Sequence, residues 1–571
     1  MARRRSMTQG WLLDITDARD GRGVVLWLKS ARTGRVEPRR ESFRPPFWVD
    51  GPRELLHEVA KELAVHPDVA EVTWRTARPS LFDHRHRRLL AVTAERNTRR
   101  RTLAGQVDAR GNYHALTLYD VDLGAPQLFH LTHDLYPFAP VTITSETVTA
   151  NEPAETIDYA APPLTTAKLS VELDGYTRGR IPPLDGRIRV IRVGGARLEG
   201  GERDLLEELP RELARQDPDV LLTDGGDAFD LPWLYRRAQA LGLSERTFYL
   251  GREPVSFQAA RPARSFETYG RVLHVAATFP LAGRFHVDGD NSFLFDDARL
   301  DGLVEAARLA RLSLQTVVRQ SPGTCFTAME MAHALADGVH IPWKKNRPEE
   351  FKSARQLVAA DRGGVIFVPP VGIFDRVDEF DFASLYPHIM VRRNLSTETL
   401  NCRCCPESPH VAPGLGYRSC VKRVGLIPRT LSPLLTRRLA YKRRLKEAGL
   451  SPRERARLTH RVKMLKWVLV TAFGYQGYRN ARFGRIECHE AINAYARELL
   501  ARLLPAAEAA GYRVLHGLVD SLWLVPVGPG EPDAEAFAVR MSERFDLPLG
   551  YEGRYRWIVF LPAVTHGLGV P

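Results

Sequence analysis

VDEFDFASLYPHIMVRRN, residues 377–394, contains Asp381 and is predicted to be a strand that leads directly into a helix. A second stretch, VLHGLVDSLWLVPV (residues 514–527), is predicted to be a β-hairpin, because two apolar runs flank a short polar middle. Its one acid, Asp520, falls at or near the turn, where aspartate is common for structural reasons alone. Taken singly, each acid is more often structural than functional, so the case for function depends on the rest of the chain.

Further carboxylates suit a metal-dependent enzyme that acts on nucleic acid. Phosphoryl transfer commonly uses two divalent ions, held about 3.5–4 Å apart by carboxylates on rigid strands. The additional candidate ligands are Glu172 and Asp174 in one strand, Asp230 after a glycine-rich turn, and Asp297 in FLFDDARLDG. Side chains alternate along a strand, so Glu172 and Asp174 are expected to point to the same face. Two acids on one face of an apolar strand are costly unless they are bound or paired.

The charge of the chain indicates a polyanionic partner. The 571 residues carry a net charge of +13, and basic residues cluster in HRHRR (84–88), RNTRRR (96–101) and RRLAYKRRLK (437–446). Nucleic acid is the commonest polyanion that a large basic intracellular protein meets. The sequence shows neither a membrane span nor a signal peptide, which predicts a cytoplasmic, nucleoid-associated protein.

The length and patterning predict an α/β protein of about three to five domains. A Pro- and Thr-rich stretch at 151–167 is typical of a linker, and strands alternate with helices from there to about residue 310. Residues 432–480 are predicted to form a helical hairpin. Its second helix should begin at SPRE (451–454), because Ser451 and Glu454 fit a capping box.

Four of the six cysteines fall within one short segment, as Cys402, Cys404, Cys405 and Cys420. A zinc site usually shows two Cys-x-x-Cys pairs, which this segment lacks, so the spacing is a weak metal signal. A disulfide from Cys420 to one of the other three, or four free thiols, explains the same pattern. The sequence leaves these alternatives open.

In their order along the chain, these motifs resemble those of family B (polymerase-alpha-like) DNA polymerases. DFASLYPHIM is similar to the first polymerase motif of that family, LKWVLVTAFGYQG to the second, and HGLVDSLW to the third. FRPPFWVDG (43–51) resembles a strand of the family's N-terminal domain. The resemblance implies template-directed nucleotidyl transfer from dNTPs to a DNA primer, with two Mg²⁺ or Mn²⁺ ions.

The resemblance also implies roles for individual residues. Asp381 and Asp520 would hold the two metal ions, and Tyr386 would lie beneath the incoming sugar and exclude a 2′-hydroxyl. Basic residues of the helical hairpin would bind the triphosphate, and two further residues would pack against the nascent base pair. The full predicted nucleotide-binding set is Phe382, Ser384, Leu385, Tyr386, Arg438, Lys442, Lys466, Phe473 and Gly474.

The same resemblance implies a domain order. We expect an N-terminal domain (1–155), an RNase H-like 3′-5′ exonuclease-type domain (156–310), an antiparallel palm in two parts (311–430 and 476–571) and helical-hairpin fingers (431–475), with no thumb in this chain. Glu172, Asp174, Asp230 and Asp297 would be the exonuclease metal ligands. The first two acids are exchanged relative to the family's Asp-x-Glu, and Phe293 replaces its tyrosine.

Departures from the family pattern also affect the polymerase motifs. Leu518 and Val519 replace Asp-Thr in the third motif, Val470 replaces the asparagine of the second, and Phe473 replaces its tyrosine. These changes match a divergent archaeal-type side branch that is also found in bacteria. They favour a weak or specialised repair or translesion polymerase with a degenerate exonuclease. The missing thumb has three open explanations: the chain is a fragment, a second chain or accessory protein supplies the thumb, or the enzyme is short. The alternatives are a catalytically inactive DNA-binding scaffold and a nuclease alone.

Overall fold

The computed structural model describes residues 8–82, 84–178, 183, 185–268, 271–345, 348–528, 530–564 and 567–570. The chain divides into two compact units. Unit 1 comprises residues 1–343 and 440–465, and unit 2 comprises residues 344–439 and 466–571. Within the described residues, no helix is long and apolar enough to cross a membrane.

Unit 1 begins with two antiparallel sheets and three helices. Its elements are β1 (Thr8–Asp17), β2 (Gly23–Ser30), β3 (Val36–Ser42), β4 (Phe47–Asp50), α1 (Arg53–Ala64), β5 (Val69–Ala77), β6 (Arg87–Ala94), α2 (Arg100–Arg110), β7 (Thr117–Tyr119), α3 (Ala125–Thr132), β8 (Ala139–Ile143) and β9 (Val148–Ala150). The strand orders are β3-β2-β1-β8-β9 and β5-β6-β4-β7. The apolar run of β2 is buried along almost its whole length, as expected for a strand covered on both faces.

A mixed sheet forms the second part of unit 1. The elements are β10 (Thr166–Leu173), β11 (Ile188–Val193), β12 (Ala196–Glu199), α4 (Glu202–Gln216), β13 (Val220–Thr223), α5 (Leu231–Ala240), β14 (Arg264–Thr268), β15 (Arg271–Val275), β16 (Phe285–Asp288), α6 (Phe295–Ala310), α7 (Leu314–Arg319) and α8 (Pro322–Ala336). The sheet order is β12-β11-β10-β13-β16, with β10 parallel to β13 and antiparallel to β11. A buried ion pair of 2.5 Å between Lys29 and Asp219 links β2 to this part.

Unit 2 is built on a six-stranded sheet with the order β17-β19-β20-β18-β21-β22. Its elements are α9 (Ala354–Ala360), β17 (Ile366–Phe367), β18 (Gly372–Phe382), α10 (Leu385–Arg392), α13 (Ile486–Ala509), β19 (Tyr512–Leu518), β20 (Ser521–Pro526), α14 (Ala534–Phe545), β21 (Leu549–Pro562) and β22 (Gly569–Val570), with α11 (Leu426–Leu445) and α12 (Pro452–Gly477) preceding α13. All the strand pairs in this sheet are antiparallel. The predicted hairpin over residues 514–527 and the strand-to-helix passage through Asp381 are both confirmed.

The predicted helical hairpin is formed by α11 and α12, and each helix runs from one unit into the other. Residues 440–465, which contain the tip of the hairpin, belong to unit 1, and the flanking parts of both helices belong to unit 2. The capping box is confirmed, because the Glu454 N–H donates to Ser451 Oγ at 3.2 Å and the Ser451 N–H donates to Glu454 Oε2 at 3.3 Å. The α/β multidomain fold agrees with the prediction from sequence.

Candidate active site

Two neighbouring strands of unit 2 bring Asp381 and Asp520 together. In the antiparallel pair β18–β20, Asp381 is opposite Ser521, which directly follows Asp520. The Phe382 N–H donates to the carbonyl of Asp520 at 2.9 Å, and the Ser521 hydroxyl donates to Asp381 Oδ1 at 2.7 Å. The sheet therefore places two carboxylates that are 139 residues apart in sequence at one end of two paired strands.

A tight turn holds Asp520 in place. The Asp520 N–H donates to the carbonyl of Leu518 at 2.6 Å, which closes a three-residue turn with Val519 at its centre. Val519 has a φ of 58°, a left-handed conformation that is unfavourable for a β-branched residue. Such strain persists only where the surrounding strands enforce it, and it is common at functional sites. The Leu518 side chain, which stands where the family has an acid, is 39% exposed.

The electrostatics of the site favour a cation. Burial raises the pKa of Asp381, and the nearby carboxylates of Glu552 and Glu379 raise it further against the opposing Ser521 hydrogen bond and Lys466 charge. Burial and the charge of Asp381 raise the pKa of Asp520 from its usual 3.8 to about 6. Negative charge is therefore concentrated at a half-buried position. Oxygen ligands with uncompensated charge are what Mg²⁺ and Mn²⁺ prefer, so these residues fit the predicted metal ions.

Two basic residues of the hairpin helices lie in unit 2 with the carboxylates. Arg438 Nη1 donates to Ser384 Oγ at 3.1 Å. Burial lowers the pKa of the Arg438 guanidinium, while the charge of Asp381 opposes that change. Lys466 is exposed and its charge acts on both Asp381 and Asp520. Lys442, although four residues beyond Arg438 on α11, falls in unit 1.

Aromatic rings form a stack next to this site. Tyr386 lies on Phe473 with ring centroids 4.0 Å apart, and Phe473 lies on His489 at 4.2 Å. The Tyr386 hydroxyl donates to Asn493 Oδ1 at 3.2 Å. Burial raises the pKa of Tyr386 to about 12, and the charge of Asp520 contributes. The ring is thus fixed on two sides, as a residue that controls the shape of a substrate pocket requires.

The remaining members of the predicted nucleotide-binding set have different environments. Phe382 and Leu385 are buried in the core, so only their backbone atoms are available to a ligand. Ser384 precedes α10 in a left-handed conformation, with φ of 58°. Gly474 is exposed on α12, where an added Cβ would meet nothing within 4 Å.

The four predicted exonuclease acids lie in different environments. Glu172 on β10 accepts hydrogen bonds from Arg192 and Arg189 of β11, and the Arg192 bond lowers its pKa against the effect of burial. Asp174 lies one residue beyond the end of β10 and is exposed, with its N–H donating to the carbonyl of Arg187 at 2.9 Å. A carboxylate already neutralised by arginine is a weaker ligand for a second cation.

Asp230 and Asp297 also have basic partners. Asp230 is fully buried and accepts from Arg178 Nη2 at 2.5 Å and from the Val171 N–H at 2.9 Å. Burial raises its pKa to about 6 even though Arg178 opposes the change. The ammonium nitrogen Nζ of Lys463 lies 3.1 Å from Oδ1 of Asp297. Across the part of the chain that the structure describes, no three of the predicted acids form a compact metal-binding group; only the four cysteines of residues 402–420 do.

Sequence reasoning missed several residues that shape these sites. Ser521 immediately follows Asp520 and holds Asp381, and its place in the third motif was the available signal. His489 and Asn493 are four residues apart on α13, so helical periodicity places them on one face. In unit 1, Asp288 accepts the N–H groups of Gly225 and Asp227 at 2.8 Å and so fixes the turn before Asp230. No local pattern indicated that role.

Comparison with known proteins identifies the region that contains both carboxylates. Residues 326–520 match the sequence model of the family described as DNA polymerase family B. The matched region belongs to DNA polymerase family B. Asp381, Ser384, Tyr386, Arg438, Lys466 and Asp520 all lie inside it. The predicted family is confirmed.

Several archaeal DNA polymerases are similar in sequence to parts of this chain. The chain is 32% identical over 259 residues to DNA polymerase 2 of Saccharolobus solfataricus, an alignment that covers 45% of this chain and 37% of that protein. It is 27% identical over 408 residues to DNA polymerase 1 of Pyrococcus abyssi, with coverage of 62% and 52%. The alignments thus span about half or less of these relatives.

The fold of family B polymerases extends over nearly all of this chain. The solved structure of the family B DNA polymerase from the hyperthermophilic archaeon Pyrobaculum calidifontis is similar over 98% of this chain and 80% of that one. The TM-score is 0.72 at 22% sequence identity. This likeness confirms the predicted α/β multidomain fold class.

Proposed function

We propose that this chain is a template-directed DNA polymerase that adds dNTPs to the 3′ end of a DNA primer. The observation that carries the proposal is the meeting of Asp381, at the end of β18, with Asp520, in the turn before β20, which concentrates negative charge. These two side chains would hold two Mg²⁺ or Mn²⁺ ions. When bound, the ions activate the primer hydroxyl and neutralise charge that builds up on the transferred phosphoryl group.

The residues around the carboxylates have roles that follow from their chemistry. Arg438 and Lys466 supply positive charge for the triphosphate, since cations stabilise the charge that develops in phosphoryl transfer. The stacked ring of Tyr386 is held by Phe473 and by Asn493, so a 2′-hydroxyl on the incoming sugar would meet a rigid wall. Primer-template DNA is the partner that the net charge of +13 favours. It would bind this chain at the nucleoid.

We further propose that the activity is weak or specialised in repair or translesion synthesis. The third motif keeps one acid and has Leu518 and Val519 before it, and Val470 is exposed at the asparagine position of the second motif. These substitutions remove polar groups that could contact the metals or the substrate. They also support placement on the divergent side branch of the family.

Primer extension tests this proposal. The full chain is incubated with a recessed primer-template, dNTPs and Mg²⁺ or Mn²⁺, alongside Asp381→Asn and a control, Asp375→Asn, on the exposed part of the same strand. We expect template-dependent extension by the wild type and the control but not by Asp381→Asn. DNA binding without extension above the Asp381→Asn level would instead support a non-catalytic scaffold.

Replacing Gly474 with alanine distinguishes an effect on the stability of α12 from an effect on contact with the substrate. Gly474→Ala is expected to stabilise α12 by about 0.5–1 kcal/mol, because alanine is the better helix former and its Cβ meets nothing within 4 Å. It should nevertheless slow extension if Gly474 packs against the nascent base pair. Gly105→Ala, equally open within α2, is the matched control and should gain stability without changing extension. Equal extension by both variants would rule out the contact.

We propose that the exonuclease-type site is degenerate. Arginine or lysine partners engage Glu172, Asp230 and Asp297, in positions where an active nuclease needs carboxylates free for metal. With Mg²⁺ or Mn²⁺ and no dNTPs, we expect loss of the primer 3′ end to be no faster for the wild type than for Asp230→Asn. Rapid trimming that Asp230→Asn abolishes would contradict the proposal.

A further inference from the structure

The four clustered cysteines meet at one point in unit 2. The sulfurs of Cys402, Cys404, Cys405 and Cys420 all lie within 4.8 Å of one another. The distances are 3.3 Å from Cys404 to Cys402, 3.6 Å from Cys420 to each of Cys404 and Cys405, and 3.8 Å between Cys404 and Cys405. All four are free thiols. One disulfide would use two of these sulfurs and would not explain why the other two converge on the same point.

The spacing of the sulfurs fits a single tetrahedral ion. With zinc–sulfur bonds of about 2.3 Å, tetrahedral geometry separates the sulfurs by about 3.8 Å, close to the observed distances. An iron–sulfur cluster would require wider spacing, because its cysteines bind different irons across the cluster. Cys405 and Cys420 are buried, Cys402 is half-buried and Cys404 is exposed, which gives an ion a route from solvent.

Main-chain groups surround the sulfur of Cys420. The N–H groups of Lys422 and Arg423 donate to it. Cys420 also donates its own N–H to the carbonyl of Thr399 at 3.0 Å, and Leu400 bridges to Ser419. Main-chain bonds thus hold the segment that carries Cys420 close to residues 399–400.

We propose that Cys402, Cys404, Cys405 and Cys420 form a structural zinc site with four thiolate ligands. The site lies in the connection between α10 and α11. Asn394, just beyond α10, donates to the carbonyls of Cys420 and Arg423 at 2.6 and 2.8 Å, and the Leu426 N–H at the start of α11 donates to Glu398. The ion would therefore rigidify the link between the helix that follows Asp381 and the helix that carries Arg438.

Metal analysis of the purified full chain tests the site without any activity assay. We expect one zinc ion per chain, and we expect Cys405→Ala and Cys420→Ala to reduce this value at least about fivefold. Cys488→Ala, at a buried thiol on α13 of the same unit, should keep the full zinc content. Exchange with Co²⁺ should give the absorption bands of a tetrahedral four-thiolate ion. A reduced chain that retains no zinc after incubation with Zn²⁺, or one that contains iron instead, would overturn the proposal.

A second set of measurements uses the wild-type chain, so it tests the zinc site even if the cysteine variants fail to fold. Titration of the wild-type chain with a mercurial reagent should release its zinc in step with the modification of four thiols. Chelation should lower the melting temperature by several degrees, because the metal stabilises only the folded segment. Release of zinc with no thiol modified, or disulfide-bonded cysteines in the freshly isolated chain, would contradict a four-thiolate zinc site.

Discussion

Replacing Asp520 with asparagine is expected to slow nucleotide addition strongly and at the same time to stabilise the folded chain at neutral pH. Asparagine keeps the shape of the side chain but removes the charge that would hold a divalent ion. We expect extension to fall by about 10²- to 10³-fold or more, the range that is typical when one electrostatic partner of a transition state is lost. The stability gain arises because Asp520 is half-buried beside Asp381.

The pH dependence of that gain follows from the pKa of Asp520. Its pKa is about 6 in the folded chain and close to its usual 3.8 in the unfolded chain. Between these values the folded state binds more protons, so wild-type stability falls as pH rises from about 4 to about 6. The asparagine variant does not show this fall. The stability of the variant relative to the wild type should be greatest above pH 6, and the difference should vanish below about pH 4.

Thermal unfolding from pH 4 to pH 8 with a chelator present, and then with Mg²⁺, measures both effects. Mg²⁺ should raise the melting temperature of the wild type and not that of Asp520→Asn, because a ligand stabilises only the state that binds it. Asp375→Asn, on the exposed part of β18, should behave like the wild type. A pH-independent difference between wild type and Asp520→Asn would show that the carboxylate is not destabilising in the folded chain.

The sequence could predict those parts of this site whose structure depends on residues close to one another in the chain. Two apolar runs around a polar middle were enough to place the hairpin that carries Asp520, and Ser451 with Glu454 marked the start of α12. The family motif placed Asp381 opposite that hairpin. It did not show that Phe382 and Leu385 are core residues, because a motif does not separate residues that contact substrate from residues that pack beneath it.

Contacts between distant segments were beyond sequence reasoning. The prediction that Glu172 is a metal ligand used only its own strand, whereas its partners Arg189 and Arg192 come from the neighbouring strand. Likewise, 14 residues separate Cys405 from Cys420, and only the folded loop shows that their sulfurs meet. Spacing along the chain therefore shows neither the convergence of the cysteine sulfurs nor the arginine partners of Glu172.

Replacing Glu305 with alanine is expected to cause a large loss of stability in unit 1. Glu305 on α6 is fully buried, and it accepts hydrogen bonds from the hydroxyls of Tyr159 at 2.6 Å and Tyr441 at 3.0 Å. Arg461 lies 3.6 Å from its carboxylate, with a side chain that is only 4% exposed, and the guanidinium lies over the ring of Tyr159. These contacts attach the tip of the helical hairpin, residues 440–465, to α6.

Removing the carboxylate would leave Arg461 buried without its anion. The cost of breaking a buried ion pair from one side is about 3–5 kcal/mol, and the two tyrosine hydroxyls also lose an acceptor. Asp296→Ala on the same helix, at a side chain that is 94% exposed, should cost no more than about 0.5 kcal/mol. Urea unfolding of the full chain, followed at both units, should show an earlier transition for Glu305→Ala alone.

The double variant Glu305→Leu/Arg461→Met separates charge from packing. Replacing both members of a buried pair with apolar residues is often neutral, because neither charge is then left without a partner. We therefore expect it to recover most of the stability lost in Glu305→Ala. If the double variant is as unstable as the single one, the tyrosine hydrogen bonds rather than the ion pair hold the hairpin tip. If Glu305→Ala unfolds at the same urea concentration as Asp296→Ala, the buried cluster contributes little to the stability of the folded chain.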